Sequence, residues 1–247
     1  MIIVTRYDDK YEPYKPFWEY CINRAYPEYS YHAHKSDHPS TDRLLIDPYP
    51  SHIEDSLQVI YHDYHYITDI DMMILPETPS LKDFHLKEMS ETGLCYSNSS
   101  RVNTAEPEGA NRMTGLHFVG FEWFEATEKA RYKYWQEIRD GKYNRRFDDE
   151  VVLMNVIKDS GLGIAPPKKL MTRHHGIHLG TGRTYRHDKS MLFQNLAQRI
   201  IPEKAKQWQT IQGDPVFKAL ILKAPEWLQK EFYDMDRFTR RRMKQEG

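Results

Sequence analysis

An apolar, strand-like run that stops on two carboxylates constrains this chain more than any other feature. The segment YHYITDIDMMIL carries good strand formers up to Thr68 and then places Asp69 and Asp71 two residues apart. Asp-x-Asp pairs are commonly solvated turn residues, but such turns continue with polar residues, whereas Met72 and three further apolar residues follow here. Burying two adjacent anions is costly unless a cation accompanies them. The segment therefore predicts a strand whose carboxyl end holds a hard divalent cation.

The overall composition excludes several classes of function. The formal net charge of the 247-residue chain is −1 and its pI is about 6.9, so no global field attracts nucleic acid. Cys21 and Cys95 are the only cysteines and have no metal-ligand spacing, which fits a reducing compartment. Because neither a signal-peptide core nor a long apolar run is present, we expect a cytoplasmic protein without nucleic-acid partners.

Strand-like and helix-like segments alternate along most of the chain. Strands are predicted over residues 2–5, 29–34, 64–68, 94–97 and 115–121, and helices over 14–25, 51–61, 80–91, 124–138 and 151–158. Such alternation indicates an α/β fold with a mostly parallel sheet flanked by helices. Residues 98–113 are predicted to be a long polar loop, which we expect to contact an acceptor substrate. We expect a catalytic domain over 1–189 and, where helices broken by prolines follow, a helical C-terminal extension over 190–247.

Three consecutive acids open one of the predicted helices. Asp148, Asp149 and Glu150 precede the apolar residues VVLMNVI, and acids in a first helical turn are stabilised by the helix dipole, with Asp148 as a plausible N-cap. The sequence supports this structural interpretation and a catalytic interpretation equally. In the catalytic interpretation one of these acids, Asp149 before Glu150, takes a proton from an attacking hydroxyl as a general base.

A glycine-rich segment with three histidines forms the third candidate site. The segment TRHHGIHLGTGR places His174, His175 and His178 among three glycines. Because glycine has no side chain, this backbone favours close approach of a ligand. A neutral imidazole of this segment is a suitable further ligand for the cation. Arg173 and Arg183 could hold a diphosphate, because the guanidinium fork matches phosphate oxygens.

In this order, the three sites resemble the GT-A family of nucleotide-sugar-dependent glycosyltransferases, over roughly residues 1 to 185. The resemblance implies a Rossmann-like sheet in which Asp69 and Asp71 hold Mn²⁺ or Mg²⁺ against the donor diphosphate. It also implies a further metal ligand from His178, with His175 as the rival. In inverting members an acid placed like Asp149 serves as the base.

The resemblance further implies the partners of the chain. The strand end formed by Thr5, Arg6 and Tyr7 would lie beside the nucleotide base of a UDP- or GDP-linked sugar. The acceptor would be a hydroxyl of a glycan or another molecule, as in polysaccharide biosynthesis. At the C-terminus, RFTRRRMKQEG suits a weak peripheral contact with anionic lipid, although a solvated helix end is the favoured interpretation.

Three other classes of protein compete with this prediction. A haloacid-dehalogenase-like phosphatase also carries an Asp-x-Asp at a strand end, but it usually has Thr or Val where this chain has Met73. A non-catalytic carbohydrate-binding protein would explain the 13% aromatic content but would not require carboxylates in mid-sheet. A nucleotidyltransferase shares much of the sheet and would consume a nucleoside triphosphate instead of a nucleotide sugar.

Overall fold

The computed structural model describes residues 1–36, 62–100, 112–143, 148–165, 176–179 and 202–244. The chain forms two compact units that alternate along the sequence. Unit 1 comprises Met1–Asp8, Tyr29–Asp69 and Thr78–Met171, and unit 2 comprises Asp9–Glu28, Ile70–Glu77 and Thr172–Gly247. The predicted domain boundary at residue 189 and the predicted helix over 51–61 lie outside the described residues.

Unit 1 is built on a five-stranded mixed sheet with the order β2-β1-β3-β6-β5. The strands are β1 (Ile2–Tyr7), β2 (Ser30–Lys35), β3 (Tyr64–Thr68), β5 (Tyr96–Ser100) and β6 (Arg112–Gly120). The strands β2, β1 and β3 run parallel, whereas β6 is antiparallel to both β3 and β5. The predicted α/β class is thus confirmed, with parallel pairing confined to the first three strands. The antiparallel half consists of β6 and its two neighbours, β3 and β5.

Helices cover both faces of this sheet. The helices are α2 (Leu81–Thr92), α3 (Phe121–Arg139) and α4 (Asp148–Asp159). One core cluster combines alternate residues of the strands, such as Val4 and Ile67, with Trp123 of α3 and Val152 of α4. Because neighbouring strand residues point to opposite faces, His85 of α2 lies on the other side, stacked at 4.8 Å on Phe118.

The β5–β6 hairpin is longer than the sequence pattern predicts. Asn98 pairs with His117 and Ser100 with Arg112, with an irregular register between the two pairs. The prediction of a loop over 98–113 was therefore wrong at both of its ends, and residues 101–111 lie outside the described part. The polar composition of these residues predicted a loop, but they form a strand. In the sheet order β5 pairs with β6 alone, and polar residues are compatible with such an edge strand.

Unit 2 collects helices from both ends of the chain around a small sheet. A short 3-10 turn (Glu12–Tyr14) leads into α1 (Lys15–Ala25), and β4 (Met72–Ile74) pairs with β7 (Gly176–His178). Three further helices follow: α5 (Pro202–Gly213), α6 (Pro215–Lys223) and α7 (Glu226–Lys244). The predicted C-terminal helices are confirmed, and each begins at or directly after one of the prolines, where a fixed φ suits a first helical turn.

An aromatic cluster holds α1 against the C-terminal helices of unit 2. The ring of Phe17 lies 4.3 Å from that of Phe232 and 5.4 Å from that of Phe217, and Trp208 packs edge-on to Phe217 at 5.7 Å. All four side chains are buried. Buried aromatic pairs of this kind are a major source of packing energy, so α1 and α5–α7 depend on one another within unit 2.

Candidate metal centre

The residues predicted to bind a donor nucleotide lie at the carboxyl edge of unit 1's parallel strands. Val4 of β1 pairs with Ile67 of β3, so Thr5, Arg6 and Tyr7 at the end of β1 lie at the same edge as the end of β3. Asp69 is the first residue beyond β3. In open α/β sheets ligands bind outside this edge, because loops and polar groups accumulate there.

The second carboxylate of the pair is buried in unit 2. Asp71 is 6% exposed, directly before β4, and its Oδ1 lies 3.0 Å from Nε2 of His178. Its backbone carbonyl accepts a hydrogen bond of 3.0 Å from the amide of Leu179. A buried carboxylate needs a partner, and the imidazole of His178 is one such partner.

The pairing of two short strands brings His178 to Asp71. In the antiparallel register of β4 and β7, Met72 lies opposite His178 and Ile74 lies opposite Gly176. Gly176 has a φ of +140°, and a Cβ at this position would lie 2.1 Å from the backbone oxygen of Met73. Only glycine allows so close an approach of the two strands, so the predicted close-approach role fits this glycine, although what approaches is a neighbouring strand.

Asp69, Asp71 and His178 together form an Asp-x-Asp-like group. Each offers one ligand atom, and these atoms all lie within 4.8 Å of one another. Two carboxylate oxygens and an imidazole nitrogen match the ligand preferences of Mn²⁺ and, through the oxygens, of Mg²⁺. The residues present therefore fit a divalent cation, and Asp69 and His178 are half-buried, which leaves the group open to a ligand.

The chain that follows β4 is fixed by a buried ion pair with α5. Nζ of Lys204 pairs with the carboxylate of Glu77 and also donates a hydrogen bond of 3.0 Å to the carbonyl of Pro76. Burial lowers the pKa of Lys204 below its usual value, and the nearby Glu77 opposes this effect. The pair thus fixes Pro76 and Glu77, at the carboxyl end of the segment that carries Asp71.

The acids predicted as a catalytic base occupy the first turn of α4. Asp148 is the first described residue of the helix and lies in its first turn. Asp148 and Asp149 are half-buried and Glu150 is 3% exposed. All three stand where the helix dipole favours negative charge. Among the described residues, none of the three belongs to the group formed by Asp69, Asp71 and His178.

Several predicted site residues lie outside the described part of the chain. These are His175, Arg173 and Arg183, together with His174. The sequence left the choice between His178 and His175 open, and the structure brings His178 to Asp71. Sequence patterns missed the strand pairing that makes this contact. The sequence signal for β4 was the apolar stretch MMIL directly after the acids, and the segment of β7 has no comparable stretch.

Comparison with known proteins gave two structural similarities and no sequence match. An active-site mutant of LgtC is similar at a TM-score of 0.37 and 12% identity, over 63% of this chain and 70% of that chain. The galactosyltransferase LgtC in complex with donor and acceptor sugar analogues is similar at a TM-score of 0.39 and 13% identity, over 94% of this chain and 100% of that chain. The chain matches no protein-family model, and no curated protein matches it significantly. At these TM-scores the similarity carries no weight for function.

Proposed function

We propose that this protein is a metal-dependent glycosyltransferase that moves a sugar from a nucleotide-diphosphate donor to a hydroxyl of a glycan or another acceptor. One observation carries the proposal: Asp69, Asp71 and His178 converge within 4.8 Å beside the end of a sheet strand. Carboxylates concentrated at this point need a cation, and a nucleotide diphosphate is a ligand whose charge such a cation neutralises.

The cation would be held by Asp69, Asp71 and His178. When bound, Mn²⁺ or Mg²⁺ supplies positive charge that stabilises a leaving diphosphate. Nε2 of His178 lies 3.0 Å from Oδ1 of Asp71, so two atoms that would bind the cation are adjacent before it enters. Such pre-organisation raises affinity because less freedom is lost on binding.

The remaining donor contacts are assigned by position. Thr5, Arg6 and Tyr7 would contact the nucleotide base of a UDP- or GDP-linked sugar, since they share the carboxyl sheet edge with the end of β3. Arg173 and Arg183 would hold the diphosphate through their guanidinium forks.

Proton removal from the acceptor is assigned to the first turn of α4. If the reaction inverts, Asp149 would accept the proton of the attacking hydroxyl, with Glu150 as the alternative. Asp149 is the better candidate because it is half-buried and therefore reachable, whereas Glu150 is 3% exposed.

The location and partners of the protein follow from the same proposal. The two cysteines are free thiols, which supports a cytoplasmic location. None of the described helices is long and apolar enough to cross a membrane. A weak contact of the basic C-terminus with anionic lipid remains part of the proposal.

A substrate assay tests the proposed reaction. Release of UDP or GDP from a panel of nucleotide sugars is measured with Mn²⁺ and with a chelator present. We expect one donor class to be turned over only with the metal. Asp71→Asn should lower the rate by at least about a hundredfold, because the cation stabilises the leaving diphosphate. The variant should still melt cooperatively as a folded protein. Near-normal turnover by Asp71→Asn would refute the metal role, and consumption of nucleoside triphosphates alone would identify a nucleotidyltransferase.

Asp149→Asn separates the proposed base from a helix-capping role. We expect this variant to bind the donor normally and to transfer the sugar at least about a hundredfold more slowly, because general-base catalysis typically contributes that much. Equal losses of donor binding and of transfer would favour a structural role for Asp149 in the first turn.

A further inference from the structure

The outward surface of α6 has an unusual composition for a helix of unit 2. Its inward side is formed by Phe217 and Ile221, which are buried. Its outward side carries Val216 at 60% exposure and Leu222 at 72% exposure, with the exposed Ala219 between them. Surface helices normally direct polar residues outward, so this helix is apolar on both sides.

The exposed apolar residues of α6 form one stripe. Val216, Ala219 and Leu222 follow at intervals of three residues, and such spacing places side chains on one side of a helix. Phe217 is fixed against the aromatic rings of unit 2, so the helix cannot rotate to bury this stripe without breaking those contacts. The packing of Phe217 therefore fixes Val216 and Leu222 on the outward side of the helix.

The charged side chains that α6 itself carries are positive. Lys218 and Lys223 are exposed on α6, and the helix contains no acidic residue. The nearest acid in sequence, Asp214, is the N-cap: it accepts hydrogen bonds from the amides of Val216 and Phe217 and forms an ion pair of 3.2 Å with Arg24. An apolar stripe flanked by lysines is complementary to a surface that is negative outside and apolar beneath.

The basic residues of α7 are less suited to this role. Nη2 of Arg237 lies 3.5 Å from Oδ1 of Asp234, and Nε of Arg240 lies 2.9 Å from Oδ2 of Asp236. Two arginines of this helix are therefore already paired with acids of the same helix. Attraction to anionic lipid depends on uncompensated positive charge near the surface. This favours α6 over the C-terminal run as the principal contact.

We propose that the outward side of α6 binds the surface of an anionic lipid bilayer, with Val216 and Leu222 entering the interface and Lys218 and Lys223 contacting lipid phosphates. The inference does not depend on the reaction catalysed. It describes a peripheral contact, because a nine-residue helix lies along an interface and does not span it.

Flotation with lipid vesicles tests this contact in the full-length protein. The vesicles contain equal amounts of phosphatidylglycerol and phosphatidylethanolamine, and pure phosphatidylcholine vesicles serve as the neutral reference. We expect binding to the anionic vesicles that weakens with added salt. Lys218→Gln with Lys223→Gln should lower the partition coefficient about 25-fold, since each lysine near an anionic surface contributes about fivefold. Leu222→Gln should lower it about tenfold.

Matched variants on unit 1 provide the controls. Ile164 is an exposed aliphatic residue at 49% exposure and Lys158 is an exposed lysine, so Ile164→Gln and Lys158→Gln should leave the partition unchanged. Circular dichroism melting curves establish that every variant is folded.

Three results would overturn the proposal. The first is a failure of the wild-type protein to float with anionic vesicles. The second is flotation that Arg240→Gln with Arg241→Gln abolishes and the α6 variants do not, which would assign the contact to α7. The third is a dimer in light scattering that Leu222→Gln dissociates while vesicles go unbound, which would assign the stripe to a second copy of this chain.

Discussion

At the scale of single residues, Gly176 is the position on which the proposed metal centre most depends. Its φ of +140° lies in a region that side chains rarely adopt, and its missing Cβ leaves room for the backbone of Met73. Two residues later in the same strand, His178 contacts Asp71. A glycine far in sequence from the acids therefore decides whether the acids and the histidine meet.

The first prediction concerns this glycine. Gly176→Ala should destabilise the protein by about 3 kcal/mol, because backbone strain and overpacking act together. It should also weaken Mn²⁺ binding, since β7 would move away from β4. Thermal unfolding and metal titration measure the two effects.

Gly213→Ala is the matched control, because a Cβ there meets nothing within 4 Å. We expect this control to change stability by less than about 0.5 kcal/mol. Similar effects of the two substitutions would contradict the steric role of Gly176.

A second residue-scale prediction concerns the buried lysine. Lys204→Met should cost about 3 kcal/mol, because the carboxylate of Glu77 would remain buried without its cation. Adding Glu77→Gln should recover most of this loss, since removing both charges of a buried pair is often neutral. Urea denaturation of the single and double variants measures both free energies of unfolding. A double variant as unstable as the single one would contradict the ion-pair account.

The pH dependence of stability gives an independent check on Lys204. Its folded-state pKa lies below the ordinary value of 10.5, so between the two values the unfolded chain binds more protons than the folded one. The contribution of Lys204 therefore makes stability rise with pH in this window, up to about pH 10.5. Unfolding experiments across that range should show a smaller rise for the variant that carries both Lys204→Met and Glu77→Gln than for the wild type. Equal slopes would contradict the burial of this charge.

At the scale of elements, the sequence predicts long segments well and short ones poorly. The helices α2, α3 and α4 and the strands β1 and β3 follow from apolar periodicity, and Ser80 caps α2 by accepting a hydrogen bond from the amide of Asp83. By contrast β4 and β7 have three residues each, too few for any period. Their pairing joins residues about a hundred positions apart, which only tertiary packing determines.

In the candidate site, too, the residues close in sequence were predictable and the distant one was not. The spacing of Asp69 and Asp71 after a strand-like run is a local signal, and the sequence was sufficient to single out both residues. Which histidine of the glycine-rich segment reaches them is a question of strand register. In the described residues His178 contacts Asp71, and His174 and His175 lie outside those residues. Local patterns thus identify the donors that are close in sequence, and the fold supplies the third.

At the scale of the whole molecule, the chain crosses between its two units several times. Residues 9–28 and 70–77 belong to unit 2 together with the C-terminal segment. Within that unit the rings of Phe17, Trp208, Phe217 and Phe232 are buried against one another. The predicted division into 1–189 and 190–247 would assign these rings to different domains.

A truncated protein tests that division. A fragment of residues 1–189 lacks Trp208, Phe217 and Phe232, so Phe17 would lose its aromatic neighbours. We expect this fragment to melt without a cooperative transition for unit 2 and to bind ANS, because apolar surface is exposed. A fragment that melts cooperatively near the wild-type temperature would instead support an independent domain over 1–189.

Titration of metal-free protein with Mn²⁺, followed by the electron paramagnetic resonance signal of free Mn²⁺, measures binding at the proposed metal centre itself. The wild type should bind Mn²⁺ at one site, more tightly when UDP or GDP is present, because a nucleotide diphosphate adds oxygen ligands. Asp71→Asn and His178→Ala should each weaken this binding by at least about tenfold, while Asp159→Asn, a surface acid paired with Lys133, should not. Wild-type affinity in the Asp71→Asn variant, with or without a nucleotide, would contradict the proposed metal centre.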